Sequence, residues 1–216
     1  MLDSGFIAVN GSPADCVYLA LHELYRHTVF DWVITGINSG ANLGQDVLFS
    51  GTFGAALTAQ LFGIPAIATS LVGGGTKNDE AQQASHYQMA ANEIVKLMTD
   101  TPILEACKNL PYHVLNVNIP DVKSAATIKG RKITALSHSQ IARPVHHVVD
   151  PRGRDAYWLS LRKRQRELLT DDASIESAEI QMMDDQAVAA GYISVSPVRL
   201  HHTPTETLAS LSALVL

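Results

Sequence analysis

The chain has 216 residues, 46% of them hydrophobic and 17% charged, with a net charge of -5. That is long and apolar enough for one sizeable core, and it excludes intrinsic disorder for the bulk of the chain. It also excludes a nucleic-acid polymer as main partner, because phosphate-backbone binding needs a basic footprint. The two cysteines, Cys16 and Cys107, have no metal or redox spacing, so a disulfide scaffold is not expected and a reducing, cytoplasmic location fits. No apolar run reaches the roughly 18 residues of a membrane span, and the first five residues lack the basic region of a signal peptide.

In chain order, residues 6–9 read as a strand closed by Asn10-Gly11. Ser12 reads as an N-cap, with Pro13 at the first helical position and Asp15 three residues after the cap. Val17, Ala20, Leu21 and Leu24 then follow at helical spacing, which predicts a helix over 13–27. Residues 32–37 form a short apolar run of the buried parallel type, leading into a Gly- and Asn-rich loop at 38–44. Ser50-Gly51-Thr52 opens a small-residue helix over about 52–62, ended by Gly63, and residues 64–68 read as another buried strand. Gly73-Gly74-Gly75 is a loop. A long helix is predicted over about 79–99, with Ala84, Tyr87, Ala91, Ile94 and Met98 on one face, and a strand over 114–119. This alternation argues for an open α/β sheet over residues 6–120. Beyond it, 128–136, 157–161 and 191–197 read as strands without long helices between them. The expectation is a single domain over 1–216, with an α/β core portion at 1–120 and a β-rich extension carrying oligomerisation elements at 121–205.

Ligands of open α/β sheets bind at the carboxyl ends of the strands. The 38–44 loop leaves such an end. The side-chain oxygens of Asn38 and Asn42 can ligate a hard cation, and the helix start at Ser50-Gly51-Thr52 presents unpaired N–H groups that favour phosphate. Ordinary turn and cap chemistry is the competing reading. His146-His147 and His201-His202 lack zinc spacing and read as exposed loop residues. Asp171-Asp172 and Asp184-Asp185 lie in polar stretches and read as solvated surface. Ser50 is not a hydrolase nucleophile, since no G-x-S-x-G elbow surrounds it.

Six segments carry a family resemblance. Gly11-Ser12-Pro13-Ala14-Asp15-Cys16-Val17 resembles the G-T-P-x-D-C-V segment of the SurE family of survival nucleotidases. Residues 35–44 resemble its S-G-I-N-x-G-x-N-L-G loop, and Ser50-Gly51-Thr52 its S-G-T phosphate loop. Residues 116–120 resemble its L-N-I-N-V-P strand, Asp150-Pro151-Arg152-Gly153 with Tyr157-Trp158 its D-P-R-G…Y-W segment, and residues 191–197 its G-Y-V-S-I-T-P segment. The resemblance implies a Rossmann-like three-layer α/β core with a C-terminal β-hairpin extension exchanged between subunits, hence a homodimer or homotetramer. It implies a metal-dependent phosphatase that hydrolyses nucleoside 5'-monophosphates, with 3'-nucleotides or polyphosphate as further substrates. The divalent cation would be Mg or Mn. Residue by residue, Asn38 falls on a metal ligand, and Asn42, Ser50, Gly51 and Thr52 fall on the phosphate pocket.

The family's opening strand ends in N-D-D-G, and its two aspartates and a later serine complete the metal shell. None of these has a counterpart in the 216 residues, so catalytic residues stay unassigned and the core is expected to be N-terminally truncated. An internal methionine taken as the start is the favoured account. The alternative is an inactive nucleotide- or phosphate-binding remnant.

Overall fold

A computed structural model describes residues 5–73, 80–122, 124–137, 145–159 and 182–199. Its centre is a five-stranded sheet of order β1-β2-β3-β7-β4. The strands are β1 (Val33–Ser39), β2 (Ala66–Leu71), β3 (His113–Ile119), β4 (Arg131–Ile133) and β7 (Ile193–Arg199). β1, β2 and β3 are mutually parallel, β7 runs antiparallel to β3, and β4 is parallel to β7. A separate two-stranded antiparallel sheet pairs β5 (Val145–Val149) with β6 (Asp155–Leu159). The segment after residue 120 therefore does two things. Among the described residues it returns β4 and β7 to the core sheet and sends out the β5–β6 hairpin.

Helix α1 (Pro13–Leu19) starts where the capping box places it. Ser12 Oγ accepts from the Asp15 amide at 3.2 Å, and the Asp15 carboxylate accepts from the Ser12 amide at 2.7 Å. Bonds from the Ser12 amide and then its hydroxyl hold the Asp15 carboxyl below its ordinary range. The helix continues as a wider π-type turn over Ala20–Leu24. Residues 6–9 differ from expectation. They pair with no strand among the described residues, and Phe6 is 73% exposed. A lone apolar run cannot satisfy its backbone as a strand without a neighbour.

Helix α2 (Gly51–Leu61) lies on one side of the sheet and α3 (Glu80–Thr99) on the other, with α4 (Ile103–Lys108) following α3. Phe53, Ala56 and Ala59 of α2 pack with Ala66, Ala68 and Val114. Ala90, Ile94 and Leu97 of α3 pack with Ile67, Leu71, Leu115, Val117, Ile119, Ile193 and Val195. This is the three-layer Rossmann-like core. The buried face of α3 overlaps the expected one and reaches one residue further round: Ile94 is buried and Tyr87 and Met98 pack against the core, but His86, Ala90, Glu93 and Leu97 are also buried, and Ala84 is exposed. Two polar residues can sit there because both are paired. His86 Nδ1 lies 2.7 Å from Asp121 Oδ1, and Glu93 meets Lys96 at 2.7 Å and Arg131 at 3.6 Å. Among the described residues, α4, β5, the short helix α5 (Asp184–Ala189) and the 3-10 segments Gly44–Phe49 and Ala125–Thr127 were not expected from the pattern.

Candidate functional site

Side chains alternate across a strand, so the two faces of this sheet can be read from the core clusters. On β2 and β3 the odd-numbered positions Ile67, Leu71, Leu115, Val117 and Ile119 face α3. The even-numbered ones, beginning with Ala66, Ala68 and Val114, face α2. The same alternation puts Ser70, Asn116 and Asn118 on the α2 face. Register then aligns Asn38 with Ser70, Ser70 with Asn118, and Asn118 with Ser194. A row of short polar side chains crosses the sheet at the carboxyl ends of its parallel strands.

The start of α2 sits over the β1 end of this row. Thr35 Oγ1 donates to the Thr52 carbonyl at 2.8 Å, and Thr52 Oγ1 donates to Asn38 Oδ1 at 3.3 Å. Asn38 Nδ2 is turned back onto the Gly40 carbonyl at 3.0 Å. Ser50 caps the helix: its hydroxyl accepts from the Phe53 amide at 3.1 Å, and its carbonyl accepts from the Gly54 amide at 2.9 Å. The Gly51 and Thr52 amides precede the first intrahelical bond, so helix geometry gives them no partner within α2. With the positive end of the helix dipole they form an anion-favouring corner. Gly51 is exposed but closely approached on one side. A Cβ there would lie 3.2 Å from Pro13 Cγ, so the starts of α1 and α2 abut.

Asn42 is differently placed. It is 6% exposed, and its Nδ2 donates to Ser70 Oγ at 2.9 Å. Its backbone is clamped from β3: Asn118 Oδ1 accepts from the Asn42 amide at 2.8 Å, and Asn116 Nδ2 and Asn118 Nδ2 both donate to its carbonyl. Asn38 and Thr52 are thus in direct contact, while Asn42 joins them through Ser70, the cross-strand neighbour of Asn38.

Asp184 corrects the sequence reading. It is not solvated surface; it is 0% exposed. Its Oδ2 accepts from the Gly44 amide at 2.7 Å, and its Oδ1 from the Ser137 amide at 2.9 Å and the Asp185 amide at 2.8 Å. The polar stretch around it concealed a buried contact spanning 140 residues of sequence. Ser70, Asn116 and Asn118 were also not singled out, although the alternation of β3 carries that signal. Asp171-Asp172 and His201-His202 lie outside the described residues. His146 and His147 are exposed as expected, but on strand β5 and not in a loop, and His147 Nε2 is 2.7 Å from Asp155 Oδ1. Asp150 organises the hairpin turn. Bonds from the amide and guanidinium of Arg154, then the Arg152 amide, hold its carboxyl below the ordinary range.

A hard cation takes about six oxygen ligands with carboxylate charge among them. Asn38 Oδ1 is one amide oxygen already receiving a hydroxyl bond. Among the described residues no group of three or more His, Cys, Asp or Glu could hold a metal. The described residues alone therefore do not fit a Mg or Mn shell.

Comparison with known proteins gives a consistent result. A family model described as survival protein SurE matches residues 2–143. A Psychrobacter cryohalolentis protein named 5'-nucleotidase SurE is 76% identical over 215 residues, covering 100% of this chain and 80% of that protein. An Acinetobacter baylyi protein of the same name is 43% identical over 209 residues, covering 96% of this chain and 76% of its own length. The crystal structure of a SurE protein from Aquifex aeolicus superposes with a TM-score of 0.67 at 30% identity, covering 95% of this chain and 73% of that one.

Proposed function

The chain belongs to the SurE family, and from that premise we propose that it is a 5'-nucleotidase, hydrolysing nucleoside 5'-monophosphates to nucleoside and phosphate. The relatives' names support the activity. The observation that carries the site is the Thr52–Asn38 hydrogen bond, which brings the start of α2 against the polar row of strand ends. The Gly51 and Thr52 amides would hold two phosphoryl oxygens, and Asn38 and Asn42 would border the pocket. As water adds to phosphorus and the ester P–O bond breaks, charge grows on those oxygens. Fixed amides stabilise it without reorganising. The leaving oxygen takes a proton to become the nucleoside hydroxyl. We extend the proposal to 3'-nucleotides and polyphosphate, which present the same terminal phosphoryl group.

The Mg or Mn ion implied by the family would meet Asn38. The carboxylates it needs are not among the described residues, so no step is assigned to it. That observation favours a second reading, in which the chain binds nucleotide phosphate without turning it over. Titrating AMP calorimetrically and assaying phosphate release with and without manganese separates the two. Manganese-dependent release supports the first reading, and binding without release the second. No binding, in a folded protein, refutes both.

We further propose a cytoplasmic homodimer or homotetramer held by elements within 121–205. Tyr157 and Trp158 on the β5–β6 hairpin are 67% and 69% exposed, as are the flanking Val145 and Val149 at 57% and 59%. A second subunit would cover that apolar surface.

A further inference from the structure

We propose that Asp184 is a positioning residue for the phosphate site. It would act through the Gly44 amide to fix where the loop at 42–50 hangs over the strand ends. This rests on the reading of that loop and the start of α2 as the phosphate pocket. The loop is suspended at three points. Asn118 clamps the Asn42 backbone, Asp184 holds the Gly44 amide, and Ser50 is the N-cap of α2. Between the last two runs a short 3-10 segment of about two turns, Gly44–Phe49. A short segment anchored at both ends transmits displacement, so a shift at Gly44 moves Asn42 on one side and the Ser50 cap on the other.

The chemistry suits that task. Both carboxylate oxygens are used, they accept from the backbone N–H groups of Gly44, Ser137 and Asp185, and the side chain is 0% exposed. Backbone amides move only with the chain that carries them. A carboxylate shared by Gly44 and Ser137 therefore fixes the 42–44 loop relative to the segment that follows β4. The same aspartate opens α5, and its own amide donates to the Ala135 carbonyl at 2.9 Å, so the anchor is itself held. A displacement of even an ångström at a phosphate pocket is costly to binding and catalysis.

Two measurements test this. In the wild-type protein, AMP titrated under amide NMR should shift Gly44 and Ser137 together with Gly51 and Thr52, because one carboxylate couples the first pair to the pocket. In Asp184→Asn, an NH2 group faces a backbone N–H and one buried amide is left unpaired. AMP affinity should fall roughly tenfold, and the Gly44 amide should exchange faster with solvent. Leu97→Ala, in the α3-side core, controls for lost stability and should leave AMP affinity within about twofold of wild type. If AMP shifts Gly51 and Thr52 but neither Gly44 nor Ser137, the positioning role is wrong while the pocket stands. If folded Asp184→Asn binds AMP as wild type does, it is equally wrong. No shift at any of the four removes the pocket and, with it, this role.

Discussion

Asn118→Ala should destabilise the protein far more than Asn116→Ala, although the two residues lie on the same face of the same strand. Both side chains are 0% exposed. Asn118 makes a two-point clamp, accepting from the Asn42 amide at 2.8 Å and donating to its carbonyl at 3.0 Å. Asn116 makes one bond, to that same carbonyl, and its own Oδ1 has no partner among the described residues. Removing Asn118 strands a buried N–H, which costs about 1–3 kcal/mol, and leaves a small cavity. A total of about 2–4 kcal/mol is expected, a large share of a typical stability of about 5–15 kcal/mol. Removing Asn116 leaves a comparable cavity, but the Asn42 carbonyl stays bonded by Asn118 and an orphan acceptor is deleted, so the loss should be smaller by the roughly 1–3 kcal/mol of the stranded N–H. Urea unfolding followed by circular dichroism measures both, provided the two transitions share an m-value. Equal losses for the two variants, or a loss under about 0.5 kcal/mol for Asn118→Ala, would refute the clamp.

Gly36→Ala should cost more than about 3 kcal/mol, because Gly36 has φ +117° and an added Cβ would overlap Thr69 Oγ1 and the Thr69 carbonyl; expression and thermal melting check it. Burial pushes the Cys107 thiol up to about 11, while Cys16 is exposed, so a thiol reagent at pH 8 should label one site fast and one slowly, and Cys16→Ser should abolish the fast phase. By linkage, the raised Cys107 value contributes stability that is full below the unfolded thiol pKa and is lost as pH rises towards about 11, which denaturation at pH 8 and pH 10.5 would register as a fall. Replacing Tyr157 and Trp158 together by Ala should leave the subunit fold intact and lower the solution mass to that of one chain; light scattering that still shows a dimer would move the contact elsewhere.

The parts of the fold legible in the sequence are those decided locally. The Ser12-Pro13-Ala14-Asp15 capping box and the Ser50 cap are set by residues within four positions of each other, and both helices begin there. β1, β2 and β3 are short apolar runs with clear flanks. What escaped is decided by distant partners. Hydrophobic counting found Tyr87, Ile94 and Met98 on the core side of α3 but not the buried His86 and Glu93, because it cannot know that His86 will meet Asp121 or that Glu93 will meet Arg131. Residues 128–136 read as one strand, but only Arg131–Ile133 pairs with the distant β7, while Ala135 bridges separately to Met183. Asp184 looked solvated because its neighbours in sequence are polar. Its neighbours in space are the Gly44 and Ser137 amides.

The two faces of the sheet explain why the site resisted pattern reading. Towards α3 the strands present Ile67, Leu71, Leu115, Val117, Ile119, Ile193 and Val195, an apolar layer whose burial drives folding with no demand on orientation. Towards α2, the carboxyl halves of β2 and β3 present Ser70, Asn116 and Asn118, and the antiparallel β7 adds Ser194 and Ser196 beside them, all nearly or fully buried. Burying such groups costs free energy unless each finds a partner, so this layer is tolerable only with a fitted roof. Asn42 provides that roof for Ser70, Asn116 and Asn118 through its backbone groups and its side-chain amide, and Thr134 pairs with Ser196. The stability of the Ser70 and Asn118 pairings and the position of Asn42 are therefore linked. A change that loosens Asn42 leaves Ser70 and Asn118 without these partners, and a change at Asn118 frees the Asn42 amide. The carboxyl ends of β1, β2 and β3 are thus held rigidly because polar residues sit where a core-only protein would place valine.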